Sequence, residues 1–281
     1  MSDAAASSIE DGAADFIVLA GAGKMGGAML WAWLDAGIAP ERLAVIEPRP
    51  SEETATRLSA ARVALNPHAS ATPADILVLA VKPQALDAAG PLLSSNVGAA
   101  TVLVSVVAGK TIADLRRAFP QAGVIVRAMP NTPAAIRQGI TGVAAEPQAT
   151  VAQRAAVQRL LEAVGQVEWL PDETHIDAVT ALSGSGPAYV FYLTECLAAA
   201  GAAAGLDPAL AARLARATVS GAGALMAAEQ ETPPEVLRRN VTSPGGTTAA
   251  ALDVLMAGPG LSALMVDAIA AAKRRAGELS G

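Results

Sequence analysis

Residues 16–26 read Phe-Ile-Val-Leu-Ala-Gly-Ala-Gly-Lys-Met-Gly, and this stretch decides the fold. A short apolar run, 16–20, reads as a strand and breaks at Gly21; a helical segment follows to about Ala36 and is closed by Gly37. Glycines 21, 23 and 26 therefore stand in the turn between a strand and a helix. Such glycines permit the tight turn, let a pyrophosphate approach the backbone and let helix and strand pack closely. In that context Gly-x-Gly-x-x-Gly is the fingerprint of a nicotinamide or flavin dinucleotide site. Gly21, Gly23, Lys24, Met25 and Gly26 are the candidate cofactor residues; the plain alternative is a glycine-rich structural turn.

Outward from this turn, strands and helices alternate. Residues 43–46, 76–81, 101–106 and 124–128 read as strands, with weaker candidates at 140–144 and 167–170. The runs at 76–81 and 101–106 are continuous and valine-rich, as in strands buried on both faces. Helical stretches at 51–60, 84–93 and 111–119 lie between them. This alternation predicts a parallel sheet with helices on both faces. Beyond Pro171 no convincing strand appears, and helical segments occupy 174–182, 186–204, 208–228, 233–240, 247–256 and 260–278. The reading is thus a leader at 1–15, an α/β domain at 16–170 and an all-helical domain at 171–281. Alanine and larger apolar residues cover most faces of 186–204, which predicts burial all round and a partner subunit, most simply in a homodimer.

Composition removes several classes. A net charge of −6, with Lys and Arg forming no stripe, argues against nucleic acid. Cys196 is the only cysteine, so an intrachain disulfide or a cysteine-based metal site is excluded, and its apolar helical setting predicts a buried, inert thiol. His68 and His175 lack metal-ligand spacing, and no metal is expected. Residues 1–15 lack the basic and apolar parts of a secretory signal and read as disordered. The apolar run 197–206 is too short to span a bilayer. A soluble, cytoplasmic protein is the expectation.

Further motifs lie at strand ends and helix starts. Glu47 ends the second strand 21 positions after Gly26, where an acid binds the ribose 2′-hydroxyl of NAD. Arg49, two positions on, suits the 2′-phosphate of NADP, so the two residues point opposite ways. Val81, Lys82 and Pro83 end another strand, where ligands sit in this architecture; Lys82 is either a ligand contact or a strand-end surface lysine. Met129, Pro130, Asn131, Thr132 and Pro133 form a stiff loop that suits the wall of a site. The run Leu182-Ser-Gly-Ser-Gly-Pro-Ala188 reads as a helix cap at Ser185 or Gly186, with Pro187 in the first turn. Most specific is Asn240-Val-Thr-Ser-Pro-Gly-Gly-Thr-Thr-Ala-Ala-Ala-Leu252. There a Pro-Gly-Gly turn opens a helix, presenting free N–H groups and two threonine hydroxyls to a carboxylate or phosphate.

The lysines are Lys24, Lys82, Lys110 and Lys273, so the helical half offers none before its last helix. Tyr189 and Tyr192 precede Leu193 and Cys196 by four positions, so no Tyr-x-x-x-Lys pair exists. A carbonyl reductase needs a proton donor of that kind. A protonated imine already carries its charge and accepts hydride without one.

Taken in order, GAGKMGGA, LAVKPQ, MPNTP, LSGSGPAYVF and NVTSPGGTTAAAL resemble pyrroline-5-carboxylate reductases over about 16–280. The resemblance implies a Rossmann domain, an interlocking helical dimerisation domain, and reduction of the cyclic imine pyrroline-5-carboxylate to proline with NADPH or NADH. It implies a substrate carboxylate held by the turn of Ser243, Pro244, Gly245 and Gly246 with Thr247, and Thr248 hydrogen-bonded to the ring nitrogen. It also places Asn240 and the 129–132 loop near the nicotinamide, and Asn66 on the adenosine side. A different imine or hydroxyacid reductase of similar build, or a dinucleotide-binding regulator without turnover, are the alternatives.

Overall fold

The computed structural model describes residues 16–67 and 73–280; the expected leader and His68 lie outside them. The strands are β1 (Ile17–Ala20), β2 (Leu43–Ile46), β3 (Ala64–Leu65), β4 (Ile76–Leu79), β5 (Val102–Ser105), β6 (Val124–Met129), β7 (Gly139–Ala145) and β8 (Gly165–Trp169). They form one sheet in the order β3-β2-β1-β4-β5-β6-β7-β8. From β3 to β6 every pairing is parallel. The chain leaves β1 for β2 on one side and returns to β4 on the other, so the switch point lies between β1 and β4, where ligands bind in such sheets.

Side chains alternate between two cores, as the two-residue period of a strand requires. Ile17, Leu19, Val45, Val78, Val104 and Val126 face α1 (Lys24–Asp35), α2 (Glu52–Ala61) and α5 (Val151–Glu162). Val18, Ala20, Leu77, Leu79, Leu103 and Ile125 face α3 (Leu86–Leu93) and α4 (Ile112–Ala118). Burial on both sides explains why these strands are almost wholly apolar, Ser105 and Arg127 being the buried polar exceptions. The fully buried Trp33 of α1 donates its indole N–H to the Leu160 carbonyl at 2.8 Å, which ties α1 to α5.

The parallel sheet expected from the sequence carries one antiparallel pairing at its end. β7 runs antiparallel to β6, and β8 runs parallel to β7. Residues 130–138 join β6 to β7 and hold only a 3₁₀ turn, Thr132–Ile136. That is too short for the helical crossover a parallel return needs. α5 is an addition to the helices read from the sequence. A capping box starts it: Thr150 Oγ1 accepts the Gln153 N–H at 3.2 Å, and Gln153 Oε1 accepts the Thr150 N–H at 2.9 Å.

The chain divides into two compact units, 16–184 with 273–280, and Ser185–Ala272. The expected break near 170 thus falls inside the first unit. The segment read as one helix at 174–182 is a 3₁₀ turn, Glu173–His175, then α6 (Ile176–Val179), then a π-helical turn, Thr180–Gly184. Ile176 packs with Met129 and Ala144 of the sheet. Glu173 adds a polar tie, accepting from the buried Arg127 guanidinium at 2.7 Å and from the Ile112 N–H at 2.6 Å.

The second unit is helical: α7 (Gly186–Ala203), α8 (Pro208–Ala228), α9 (Pro234–Asn240), α10 (Thr247–Met256) and the first part of α11 (Leu261–Ser280). α7 and α8 approach closely through small residues, a Cβ on Gly201 falling 3.2 Å from that of Ala211. The burial expected all round α7 does not occur within the protomer, where none of its residues is buried. Val190, Phe191, Leu197, Leu214, Leu225, Val254, Leu264 and Val266 all stand exposed. Apolar exposure on this scale marks an interaction surface. Among the described residues no single helix is long and apolar enough to cross a membrane.

Candidate active site

The three glycines of the first turn do three different things. Gly21 takes φ +94°, and a Cβ there would lie 2.7 Å from the Ala80 carbonyl oxygen at the end of β4. A Cβ on Gly26 would lie 2.0 Å from the Gly21 oxygen, so this glycine lets α1 rest against the turn. A Cβ on Gly23 meets nothing within 4 Å. Gly23 is the N-cap of α1 and offers no capping side chain, and the first helical bond is Gly27 N–H to the Gly23 carbonyl. The N–H groups of Lys24, Met25 and Gly26 are therefore left for an anion at the positive helix end. An open cradle at the middle glycine, walled by close contacts at the other two, fits a pyrophosphate.

Beside this turn runs a cleft of about 790 Å³. Ala22, Gly23, Lys24, Glu47 and Arg49 line it, together with Trp31 and Asp35 of α1 and Thr54 and Arg57 of α2. The Arg57 guanidinium lies over the Trp31 ring at 3.9 Å, and Asp35 is paired with Arg137. None of the lining residues of α1 beyond Lys24 or of α2 was singled out from the sequence; Ser51, which N-caps α2 by accepting the Thr54 N–H at 3.1 Å, is the one legible marker there.

Glu47 is held firmly at the rim. Its Oε2 accepts the Ala22 N–H at 3.1 Å and its Oε1 the Arg49 N–H at 3.2 Å. Asn66 accepts the Glu47 N–H at 2.8 Å and donates its amide to the Glu47 carbonyl at 2.9 Å. Asn66 thus braces Glu47. Val81 stands behind the glycine turn, its nitrogen 3.0 Å from a Cβ on Gly21. Lys82 is exposed and N-caps the 3₁₀ turn Pro83–Ala85. Met129 and Pro130 are buried at the end of β6, and Asn131 Oδ1 accepts the Ile140 N–H at 3.0 Å, which fixes the loop to β7. These three do not line the 790 Å³ cleft. They share with Glu47 and Val81 the carboxyl edge of the parallel strands.

In the helical unit, residues 243–246 form a tight turn. The Gly246 N–H donates to the Ser243 carbonyl at 3.0 Å, with Pro244 second and Gly245 third at φ +68°. That positive φ is what a type II turn needs at its third position. α10 follows with no side-chain cap. The first helical bond is Ala250 N–H to the Gly246 carbonyl. The N–H groups of Gly245, Thr247, Thr248 and Ala249 are therefore available, whereas that of Gly246 is engaged in the turn. Ala249, at the third helical position, is a donor that sequence reasoning missed. Neither the Thr247 nor the Thr248 hydroxyl bonds within the described residues of the protomer, and Asn240 is exposed at the end of α9.

Two other expectations change. Cys196 is exposed in the protomer, because the face of α7 that carries it has no intrachain cover. It sits one turn from Tyr192, whose phenol O–H donates toward the Cys196 sulfur; that interaction favours the neutral phenol and raises its pKa above the ordinary value. Ser185 has helical rather than extended angles and makes no capping bond, since the π-helical turn precedes it. Among the described residues, no group of three or more His, Cys, Asp or Glu is placed to hold a metal ion.

A family model for pyrroline-5-carboxylate reductase dimerisation matches residues 173–279, and one for coenzyme F420-dependent NADP oxidoreductases matches 16–109. The chain is 40% identical to the pyrroline-5-carboxylate reductase of Pseudomonas aeruginosa over 94% of its own length and 96% of the relative's. It is similar to the structure of the Coxiella burnetii pyrroline-5-carboxylate reductase, with TM-score 0.87, 35% identity and coverage of 95% and 99% of the two chains. The Plasmodium falciparum pyrroline carboxylate reductase, solved with NADP bound, matches with TM-score 0.75, 26% identity and coverage of 95% and 98%.

Proposed function

The chain belongs to the pyrroline-5-carboxylate reductase family, and we propose that its glycine turn and its Ser-Pro-Gly-Gly turn are the two halves of that family's chemistry. The protein reduces 1-pyrroline-5-carboxylate to L-proline, the last step of proline synthesis, with NADPH or NADH. When bound, the dinucleotide supplies the hydride. The glycine turn, with Lys24 and Met25, holds its pyrophosphate, and Glu47 and Arg49 meet the adenosine ribose. Asn66 contributes by bracing Glu47. Val81, Lys82, Pro83, Met129, Pro130, Asn131 and Asn240 serve the nicotinamide side.

The observation that carries the substrate half is the preformed turn at 243–246 followed by an uncapped ten-residue helix. The N–H groups of Gly245, Thr247 and Ala249 receive the substrate carboxylate, and Ser243 sets the turn by accepting the Gly246 N–H. Thr248 uses its hydroxyl to orient the ring nitrogen. A protonated imine needs no strong protein acid, which agrees with a helical half whose lysines are confined to Lys273. Orientation of the two reactants supplies much of the acceleration.

The division of labour is a dinucleotide domain at 16–170 and a substrate-binding and dimerisation domain at 171–281, supported by family matches that fall on either side of that line. The exposed apolar surface of α7, α8 and α10 supports a homodimer, or a larger homo-oligomer built from it. The net charge of −6 does not favour nucleic acid, and a cytoplasmic location suits the activity.

The test is Thr248→Ala. One lost polar contact to the transition state lowers kcat/KM by about ten-fold, with thermal stability unchanged and Thr248→Ser recovering most of the loss. Unaltered kinetics in Thr248→Ala would remove Thr248 from the mechanism.

A further inference from the structure

The rim of the dinucleotide cleft carries both an acid and a base, and their engagement within the fold separates them. The Glu47 carboxylate bridges two loops, accepting from Ala22 in the glycine turn and from Arg49 in the loop after β2. Its peptide is clamped on both sides by the Asn66 amide, and Asn66 in turn donates its own N–H to the Val45 carbonyl at 2.7 Å. Asn66 takes φ +47°, a conformation that asparagine tolerates better than most residues. This is a preset acceptor, and a carboxylate with two of its acceptor sites taken still has about two left.

Those remaining sites match hydroxyl donors and oppose a phosphate dianion. A 2′-phosphate carries about −1.5 to −2 charge. Placed where a ribose hydroxyl donates to Glu47, it meets a like charge at contact distance, which interfaces use to reject wrong partners. Two backbone donors at this rim, the Ala22 and Arg49 N–H groups, are already bonded to Glu47. Arg57 is stacked on Trp31. Arg49 is exposed, and a lone exposed guanidinium contributes little.

On the reading that this cleft holds the nicotinamide dinucleotide, we propose that Glu47, positioned by Asn66, makes this chain select NADH over NADPH. Glu47 touches the adenosine ribose and sets the preference; Asn66 acts through it as a positioning residue.

Calorimetric titration of the full-length protein with NAD⁺ and NADP⁺, without substrate, tests this directly. The wild type binds NAD⁺ at least about ten-fold more tightly. Glu47→Gln removes the charge and brings the ratio of the two dissociation constants to within about three-fold of unity. Asn66→Ala lowers the ratio in the same direction, whereas a purely structural role would weaken both ligands equally and leave the ratio unmoved. Equal affinities in the wild type, tighter NADP⁺ binding abolished by Arg49→Ala, or an unmoved ratio in Glu47→Gln would each overturn the proposal while leaving the dinucleotide site standing. Binding of neither ligand by folded protein would overturn the cofactor reading itself, and this proposal with it.

Discussion

Replacing Gly23 and Gly26 separately by alanine divides binding from folding within one turn. At Gly26 the added methyl would sit 2.0 Å from the Gly21 carbonyl oxygen and 3.1 Å from the Ala80 Cβ. Ordinary contact begins near 3.4 Å, so the start of α1 must move by more than an ångström, and the obstacle is backbone that has no alternative rotamer. Overpacking of this kind costs about 1–3 kcal/mol, and a backbone obstacle belongs at the upper end. Alanine recovers about 0.8–1 kcal/mol of helix propensity. The net loss is therefore about 2 kcal/mol, a fall in Tm of roughly 4–8 °C. At Gly23 the methyl meets nothing within 4 Å and φ is −70°, so the backbone accepts it. Loss of a glycine N-cap and the stiffer unfolded chain nearly cancel, leaving stability within about 1 kcal/mol of wild type. The methyl does occupy the approach to the helix N–H groups, and dinucleotide affinity falls by about ten-fold or more. Thermal unfolding followed by circular dichroism, paired with calorimetric dissociation constants, reads both effects. Wild-type affinity in Gly23→Ala, or a Tm loss in Gly23→Ala equal to that in Gly26→Ala, would refute the assignment of separate roles.

Two further outcomes follow from features away from the dinucleotide turn. Burial pushes the Asp114 carboxyl up, but hydrogen bonds from Thr111 and the charges of Arg117 and Lys110 outweigh it and hold the pKa below 3.8. A depressed carboxylate adds stability that is present above its unfolded value and lost as pH falls through the folded one. Asp114→Asn should therefore cost about 1 kcal/mol at neutral pH, as for a lost cap, and converge on wild type below pH 3.8 in urea melts; a gap constant with pH would contradict this. In the helical unit, Phe191 is 62% exposed in the protomer, so Phe191→Glu should leave the protomer folded yet shift the light-scattering mass from oligomer to monomer. A wild-type protein that is already monomeric would defeat that account.

The fold was legible where strands are buried on both faces. β1 and β4 are continuous apolar runs, and β5 and β6 nearly so, because each feeds two cores, and their ends were placed within a residue or two. The reversal at β7 depended on the length of the 130–138 connection, a topological matter rather than one of pattern. α5 was overlooked although Thr150 and Gln153 form a capping box and Val157, Leu160 and Leu161 mark one helical face. A composition change at Pro171 does not report that Ile176 of α6 packs on β6 and β7. In the site, the glycine turn and the 243–246 turn were readable because only particular residue types make those backbones. Glu47 was seen and its brace was not, because Asn66 reaches it through a pairing of β2 with β3 that two residues of strand cannot announce. Cys196 read as buried because its neighbours on α7 are apolar, yet no residue of α7 is buried within the protomer; the apolar faces of 186–204 pointed instead to a partner subunit.

The central claim is reduction of a cyclic imine carboxylate by a nicotinamide dinucleotide. It is tested most directly by mixing the purified protein with 1-pyrroline-5-carboxylate and reduced dinucleotide, following dinucleotide absorbance and quantifying proline. The account predicts one proline formed for each dinucleotide oxidised, with no oxidation when the imine is omitted. Folded protein that binds the dinucleotide yet forms no proline would contradict it.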